Sequence, residues 1–95
     1  MTEAIIDVID NPAASRYEAR LDGEVVGFCS YRLVDDEVLL PHAEVDPGVG
    51  GRGIGSALAR GTLDDLRRQG HRVVPLCPFV VDFIKKNPEY ADLIA

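Results

Sequence analysis

Apolar and polar positions alternate through the first half of the chain and recur every three or four residues through the second. Ala4–Ile9 is a short apolar run ended by Asp10-Asn11-Pro12, a turn signal. Arg16–Leu21 alternates, with Tyr17, Ala19 and Leu21 on one face. Asp22-Gly23 separates two strand-like runs, which signals a tight hairpin. Glu24–Val34 is rich in Val, Phe, Tyr and Leu, Asp35-Asp36 makes the next turn, and Glu37–Val45 reads as a fourth strand. With connections this short, the four strands should form an antiparallel meander. Pro41 cannot donate to a ladder, so the fourth strand should carry a bulge or an unpaired side there. An edge strand satisfies that constraint; so does a strand that splays from its neighbour and frees backbone groups for a ligand.

The helical period then takes over. Ile54, Leu58, Thr62 and Leu66 share a stripe with Ala57 and Leu63 beside it. Arg67 and Arg68 fall in the last turn, where the helix dipole favours cations, and Gly70 suits the position after the helix. The spacing predicts a helix over Arg52–Gln69, with Asp64 placed to pair with Arg67 and Arg68. Arg72–Leu76 is a short apolar strand that can return parallel to the fourth as a βαβ unit. Pro78 suits the first position of a further helix, Phe79–Lys86, which Asn87-Pro88 breaks; Pro88–Ile94 adds a last turn or two. The expected architecture is α+β, one domain over residues 1–95, with no repeat or linker to divide it.

Composition narrows the class. The 95 residues are 46% hydrophobic and 27% charged, ordinary for a soluble globular chain and too apolar for disorder. No apolar run is long enough to span a membrane, and Met1-Thr2-Glu3-Ala4 leads into no secretory pattern. Cys29 and Cys77 make no disulfide framework; reduced thiols in a cytoplasmic protein are the simplest reading. A net charge of −6 argues against nucleic acid as the main partner. The charge is uneven: residues 1–46 hold 11 acidic and 3 basic side chains, residues 47–95 hold 5 and 7. The second half therefore suits a polyanionic small ligand and the first a cationic partner.

Between the fourth strand and the long helix stand five glycines in eight residues, Gly48 to Gly55. That many glycines carry a heavy entropic cost on folding. They also let backbone N–H groups converge on a ligand, and a helix N-terminus adds unpaired donors and positive partial charge. Together they suit a pyrophosphate, with Arg52 placed to add a charge-assisted contact. The plain alternative is a tight strand-to-helix turn, for which one or two glycines suffice. The segment is neither a P-loop nor a dinucleotide-binding fingerprint, whose spacings it lacks.

The run Val49-Gly50-Gly51-Arg52-Gly53-Ile54-Gly55-Ser56-Ala57-Leu58 resembles the acyl-CoA motif of the Gcn5-related N-acetyltransferases, R/Q-x-x-G-x-G/A. Gly53 and Gly55 match its glycines, while Gly50 falls where Arg or Gln is usual. Pro75-Leu76-Cys77-Pro78-Phe79 and Asn87-Pro88-Glu89-Tyr90-Ala91-Asp92 resemble a subgroup of very small members, which lack the two helices that normally follow the first strand. The resemblance implies a truncated version of that fold: a four-stranded antiparallel meander, a long helix, a fifth strand parallel to the fourth and a C-terminal helix. It implies acetyl-CoA (coenzyme A) as cosubstrate, with its pyrophosphate over Gly50, Gly51, Arg52, Gly53, Ile54 and Gly55. The pantetheine arm would follow backbone at Ala43 and Val45. The acyl group would point toward His42, Glu44 and Cys77. The acceptor would be an unidentified amine, since the missing helices normally build part of its pocket.

Acyl transfer to an amine needs a base, an oxyanion donor and a proton for the leaving thiolate. Cys77 precedes Pro78 at a helix start, a setting that lowers a thiol pKa, and is a candidate acyl acceptor; its alternative is a buried apolar filler. His42 and Glu44 lie two apart on one strand face and are candidate bases. In larger relatives a tyrosine in an N-x-x-A-x-x-f-Y pattern protonates the thiolate; here that register places Cys77 at the Asn and Ile84 at the Tyr. Tyr90 is the nearest substitute but more naturally packs. The expected function is N-acetyl transfer in a monomer or weak homodimer without metal, nucleic acid or membrane. The rivals are an acetyl-CoA-binding sensor or carrier and an interaction module whose glycine turn is structural.

Overall fold

Alternation through residue 45 and a helical stripe after it produce a five-stranded sheet with helices packed against it. The structure, a computed structural model, describes residues 6–49 and 53–95. The strands are β1 (Ile6–Asn11), β2 (Arg16–Leu21), β3 (Glu24–Val34), β4 (Glu37–Val45) and β5 (Arg72–Pro75). The helices are α1 (Ile54–Arg68) and α2 (Pro78–Lys86), with short 3-10 turns at Pro12–Ala14, Pro47–Val49 and Pro88–Leu93. The strands lie in sequence order: β1 to β4 are antiparallel, and β5 joins β4 in parallel, as the meander and the βαβ return require. Among the described residues, no helix is long and apolar enough to cross a membrane.

Several boundaries differ from the sequence reading: α1 runs Ile54–Arg68 against the expected Arg52–Gln69, with Arg52 outside the described residues, β5 ends at Pro75 and not Leu76, and α2 takes in Pro78. The Ala4 and Ile5 part of the first strand lies outside the described residues, and β1 continues through Asp10 and Asn11. Both side chains are tied into the sheet: the Tyr31 hydroxyl donates to Asp10 at 2.7 Å, and Asn11 donates to Glu18 at 3.1 Å. The Asp22-Gly23 hairpin forms as read, with both residues at positive φ, 52° and 87°. The expected helix-surface pairing is corrected. Asp65, not Asp64, bonds Arg68; Arg67 reaches across to Asp92; and Asp64 accepts from the Tyr90 hydroxyl at 2.6 Å. The Arg67–Asp92 and Tyr90–Asp64 bonds hold the C-terminal turn against α1, and these tertiary partners displace the expected Asp64 pairs because a helix-surface pair is worth only a few tenths of a kcal/mol (~0.2–0.5).

All the helices lie on one face of the sheet. Tyr17, Ala19, Cys29, Val38, Leu40 and Val73 point into a single core with Ile54, Leu58, Leu63 and Leu66 of α1 and Val80, Phe83 and Ile84 of α2. The opposite face carries Arg16, Glu18, Arg20, Phe28, Ser30, His42 and Glu44, and no described element covers it. Past Val73, the outer edge of β5 is closed by the chain end, where Ala95 N donates to Val73 O at 2.9 Å.

Candidate functional site

The bulge that Pro41 implied is present, and it shapes the site. Ser30 pairs with His42 and Arg32 with Leu39, so Leu40 and Pro41 together oppose the single residue Tyr31. The extra residue flips the side-chain parity of β4. Val38 and Leu40 are buried in the core, but beyond the bulge Ala43 and Val45 face inward while His42 and Glu44 face the open side. His42 Nε2 and Glu44 Oε1 are 2.9 Å apart on that exposed face. The Phe28 ring stands 5.9 Å from the imidazole, and Ser30 Oγ donates to the His42 carbonyl.

The bulge coincides with the end of the β4–β5 ladder. Its last rung is Leu40 with Pro75, after which the N–H groups of Leu76 and Cys77 both donate to the Leu40 carbonyl, at 3.1 and 3.0 Å. The chain then turns into α2, so β4 runs on through Pro41–Val45 without a parallel partner. The gap left there is a cavity of about 260 Å³ lined by Ala43, Glu44, Val45 and Phe79.

The N-terminus of α1 follows β4 after a short 3-10 turn. Gly53 is its cap, at φ 70°, a left-handed conformation that glycine adopts without strain. Among the described residues no side chain caps the helix, and no acidic residue stands in its first turn, so its leading N–H groups keep their affinity for an anion. Gly55 is needed for a different reason. A Cβ there would lie 2.8 Å from Cζ of Phe79, whose ring leans over the helix start and walls the gap. Of the expected contact residues, Gly50, Gly51 and Arg52 lie outside the described residues; Gly53 and Gly55 stand at the start of α1, Ile54 turns into the core, and Ala43 and Val45 line the gap. A bare strand edge, an uncapped helix and an apolar wall fit a phosphate-bearing amide arm of the coenzyme A kind.

Cys77 is not brought to His42 and Glu44. It caps α2, but it turns inward to lie buried in the core. Burial pushes the Cys29 thiol up to about 12, with the neighbouring Cys77 adding to the shift. Tyr90 is buried as well, its hydroxyl committed to Asp64, and burial followed by that bond raises its pKa.

The open face holds a group that residue spacing did not single out. Glu18 is 3% exposed on a face with no covering element, closed over by Arg20 at 2.8 Å, Arg16 at 2.9 Å and Asn11. The hydrogen bond from Arg20, then those from Asn11 and Arg16, lower its carboxyl to about 2. Arg16 in turn lies over Phe28, 4.8 Å from the ring centroid. The alternation Arg16-Tyr17-Glu18-Ala19-Arg20 does place these charges on one face, which is the signal available from sequence. Phe79 has none, because periodicity does not set it apart from Phe83.

The fold is that of an acetyltransferase-like protein. Residues 16–93 match the family described as GCN5-related N-acetyl-transferase, and the chain belongs to that family. The NMR solution structure of a GCN5-like protein from Staphylococcus aureus shares the fold, with a TM-score of 0.70 and 20% identity over 94% of this chain and 87% of that one. The ribosomal-protein-S18-alanine N-acetyltransferase of Escherichia coli superposes with a TM-score of 0.62 and 20% identity, covering 77% of this chain and 66% of that one. No curated protein matches the chain.

Proposed function

We propose that the protein is an acetyl-CoA-dependent N-acetyltransferase acting on an amine. The observation that carries this reading is the stretch Pro41–Val45, paired with β3 on one side but without β5 on the other, which opens a gap near the N-terminus of α1. The helix N-terminus and the glycine turn would hold the pyrophosphate, and backbone at Ala43 and Val45 the pantetheine arm. When bound, the cosubstrate supplies an activated acetyl group as a thioester. The chain supplies the rest. Glu44 lines the gap and is paired with His42, so this pair can take the proton that an attacking ammonium must lose. Phe79 and Val45 give the gap its apolar lining. Cys77 has no part in this scheme, because its thiol is buried on the helical side of the sheet.

A second reading, a protein that holds acetyl-CoA without efficient transfer, is favoured by one observation. Ile84 occupies the position of the usual thiolate-protonating tyrosine and is buried in the core, and the hydroxyl of Tyr90 is already engaged by Asp64. Incubation with acetyl-labelled acetyl-CoA and a panel of amines separates the two. Transfer predicts label on an amine and a loss of about 10²-fold or more in rate for Glu44→Gln. Label leaving no faster than in buffer, for every amine, would overturn transfer and leave the binding reading.

A further inference from the structure

We propose that the uncovered face of the sheet holds the amine acceptor, and that this acceptor is a free amino acid, carrying ammonium and carboxylate together. The inference deepens the transferase reading and rests on it. A second cavity, of about 210 Å³, lies on that face and includes Arg16, Gly27, Phe28, Glu44 and Asp46 in its lining. It shares Glu44 and Val45 with the β4–β5 gap, so a molecule seated there reaches the same carboxylate that borders the acyl site.

The cavity has two walls of opposite charge. Phe28 forms its floor, paired on one side with Glu18 of β2 and on the other with Glu44 of β4. On the β2 side, Arg16 and Arg20 share the single carboxylate of Glu18, which leaves one positive charge. Arg16 spends its Nε on Glu18 and leans over Phe28 toward the cavity. Its two terminal nitrogens make no hydrogen bond among the described residues. On the β4 side stand two carboxylates, Glu44 beside His42 and Asp46, one oxygen of which accepts from Gly48 N. Alternate strands lie about 9.6 Å apart, and Arg16 leans from β2 over the Phe28 ring of β3, 4.8 Å from its centroid, on the side of the cavity opposite Glu44. A diamine would bring a second cation against Arg16, and a simple carboxylic acid would bring its anion against Glu44 and Asp46. Gly27 lets β4 come close: a Cβ there would lie 2.9 Å from the Glu44 carbonyl oxygen.

Amide NMR titration of the protein with 4-aminobutyrate and L-phenylalanine, against 1,4-diaminobutane and butyrate, tests this. The amino acids should give saturable shifts at Gly27, Glu44, Val45 and Asp46, with diaminobutane and butyrate about tenfold weaker or more. Arg16→Gln should weaken the amino acids but not diaminobutane, and Glu44→Gln should weaken both amines but not butyrate. Equal binding of diaminobutane or butyrate, or indifference to both substitutions, would overturn the proposal. An acetyl-CoA titration in the same spectra, read at Gly53 and Gly55, separates the two levels. Shifts there with silence from both amino acids would overturn the acceptor proposal alone; silence from acetyl-CoA would overturn the function on which it rests.

Discussion

Gly61 sits where α1 comes nearest to β1: a Cβ built on it would lie 2.6 Å from Cβ of Val8 and 2.8 Å from each of the two methyl carbons. Val8 belongs to a strand in register with β2, opposite Ala19, so it cannot swing aside like the end of a flexible side chain. Gly61→Ala therefore sets two effects against each other. Alanine in a helix interior gains about 1 kcal/mol over glycine. Forcing a methyl into a filled contact costs about 1–3 kcal/mol, and the upper half of that range applies because three atoms are struck at once. The net expectation is a loss of about 1–2 kcal/mol, which lowers Tm by roughly 5–15 °C in a domain of this size. Val8→Ala removes two of the three struck atoms, at a cost of about 1 kcal/mol for half-buried methyls. In the double variant the two methyl contacts go while the Cβ contact at 2.6 Å stays, so the two losses should fall short of additivity by about 0.5 kcal/mol. Urea denaturation of wild type, both single variants and the double variant measures this directly. A Gly61→Ala protein as stable as wild type, or strict additivity in the cycle, would refute the close seating of α1 on β1. That seating aims the helix N-terminus at the end of β4.

Three further outcomes follow from named groups. Glu18, held at about 2 against an ordinary 4.5, contributes stability that is complete above about pH 4.5 and lost as the pH falls toward 2. Glu18→Gln should flatten that part of a pH–stability curve, and an unchanged slope would contradict the three hydrogen bonds that Glu18 accepts from Asn11, Arg16 and Arg20. Thr62 is 1% exposed and its hydroxyl has no partner among the described residues, so Thr62→Val should raise stability by about 1 kcal/mol in the same denaturation assay; a loss would mean that the hydroxyl is satisfied. Neither thiol should react with an aromatic disulfide reagent at neutral pH faster than the protein unfolds, because Cys29 and Cys77 are both buried. Rapid modification of native Cys77 would put that sulfur in the gap and restore its candidacy as an acyl acceptor.

Much of the fold was legible because local signals agreed with one another. The hairpin at Asp22-Gly23, the stripe from Ile54 to Leu66 and the proline at the start of α2 each mark one conformation, and β2, β3 and β4 have the bounds their patterns predict. The site was only partly legible, for a physical reason. Pro41 announced a bulge, but the direction in which side chains emerge from a bulge depends on which strand carries the extra residue. That is fixed by pairing with Tyr31, a partner distant in sequence. His42 and Glu44 share a face, as their spacing requires, while Cys77 comes from a chain reversal whose sense no period records. The buried Glu18 was hidden by the same logic, since its burial comes from arginines folding over it and not from the strand pattern.

The central claim is that the end of β4 and the start of α1 form a site for the phosphate-bearing arm of acetyl-CoA. Isothermal titration calorimetry with acetyl-CoA, and with acetyl-pantetheine as the same arm without its phosphates, tests it most directly. The account predicts saturable one-site binding of acetyl-CoA that weakens sharply, by about tenfold or more, when the phosphates are removed. Absence of heat at millimolar acetyl-CoA, or equal affinity for the two compounds, would contradict it.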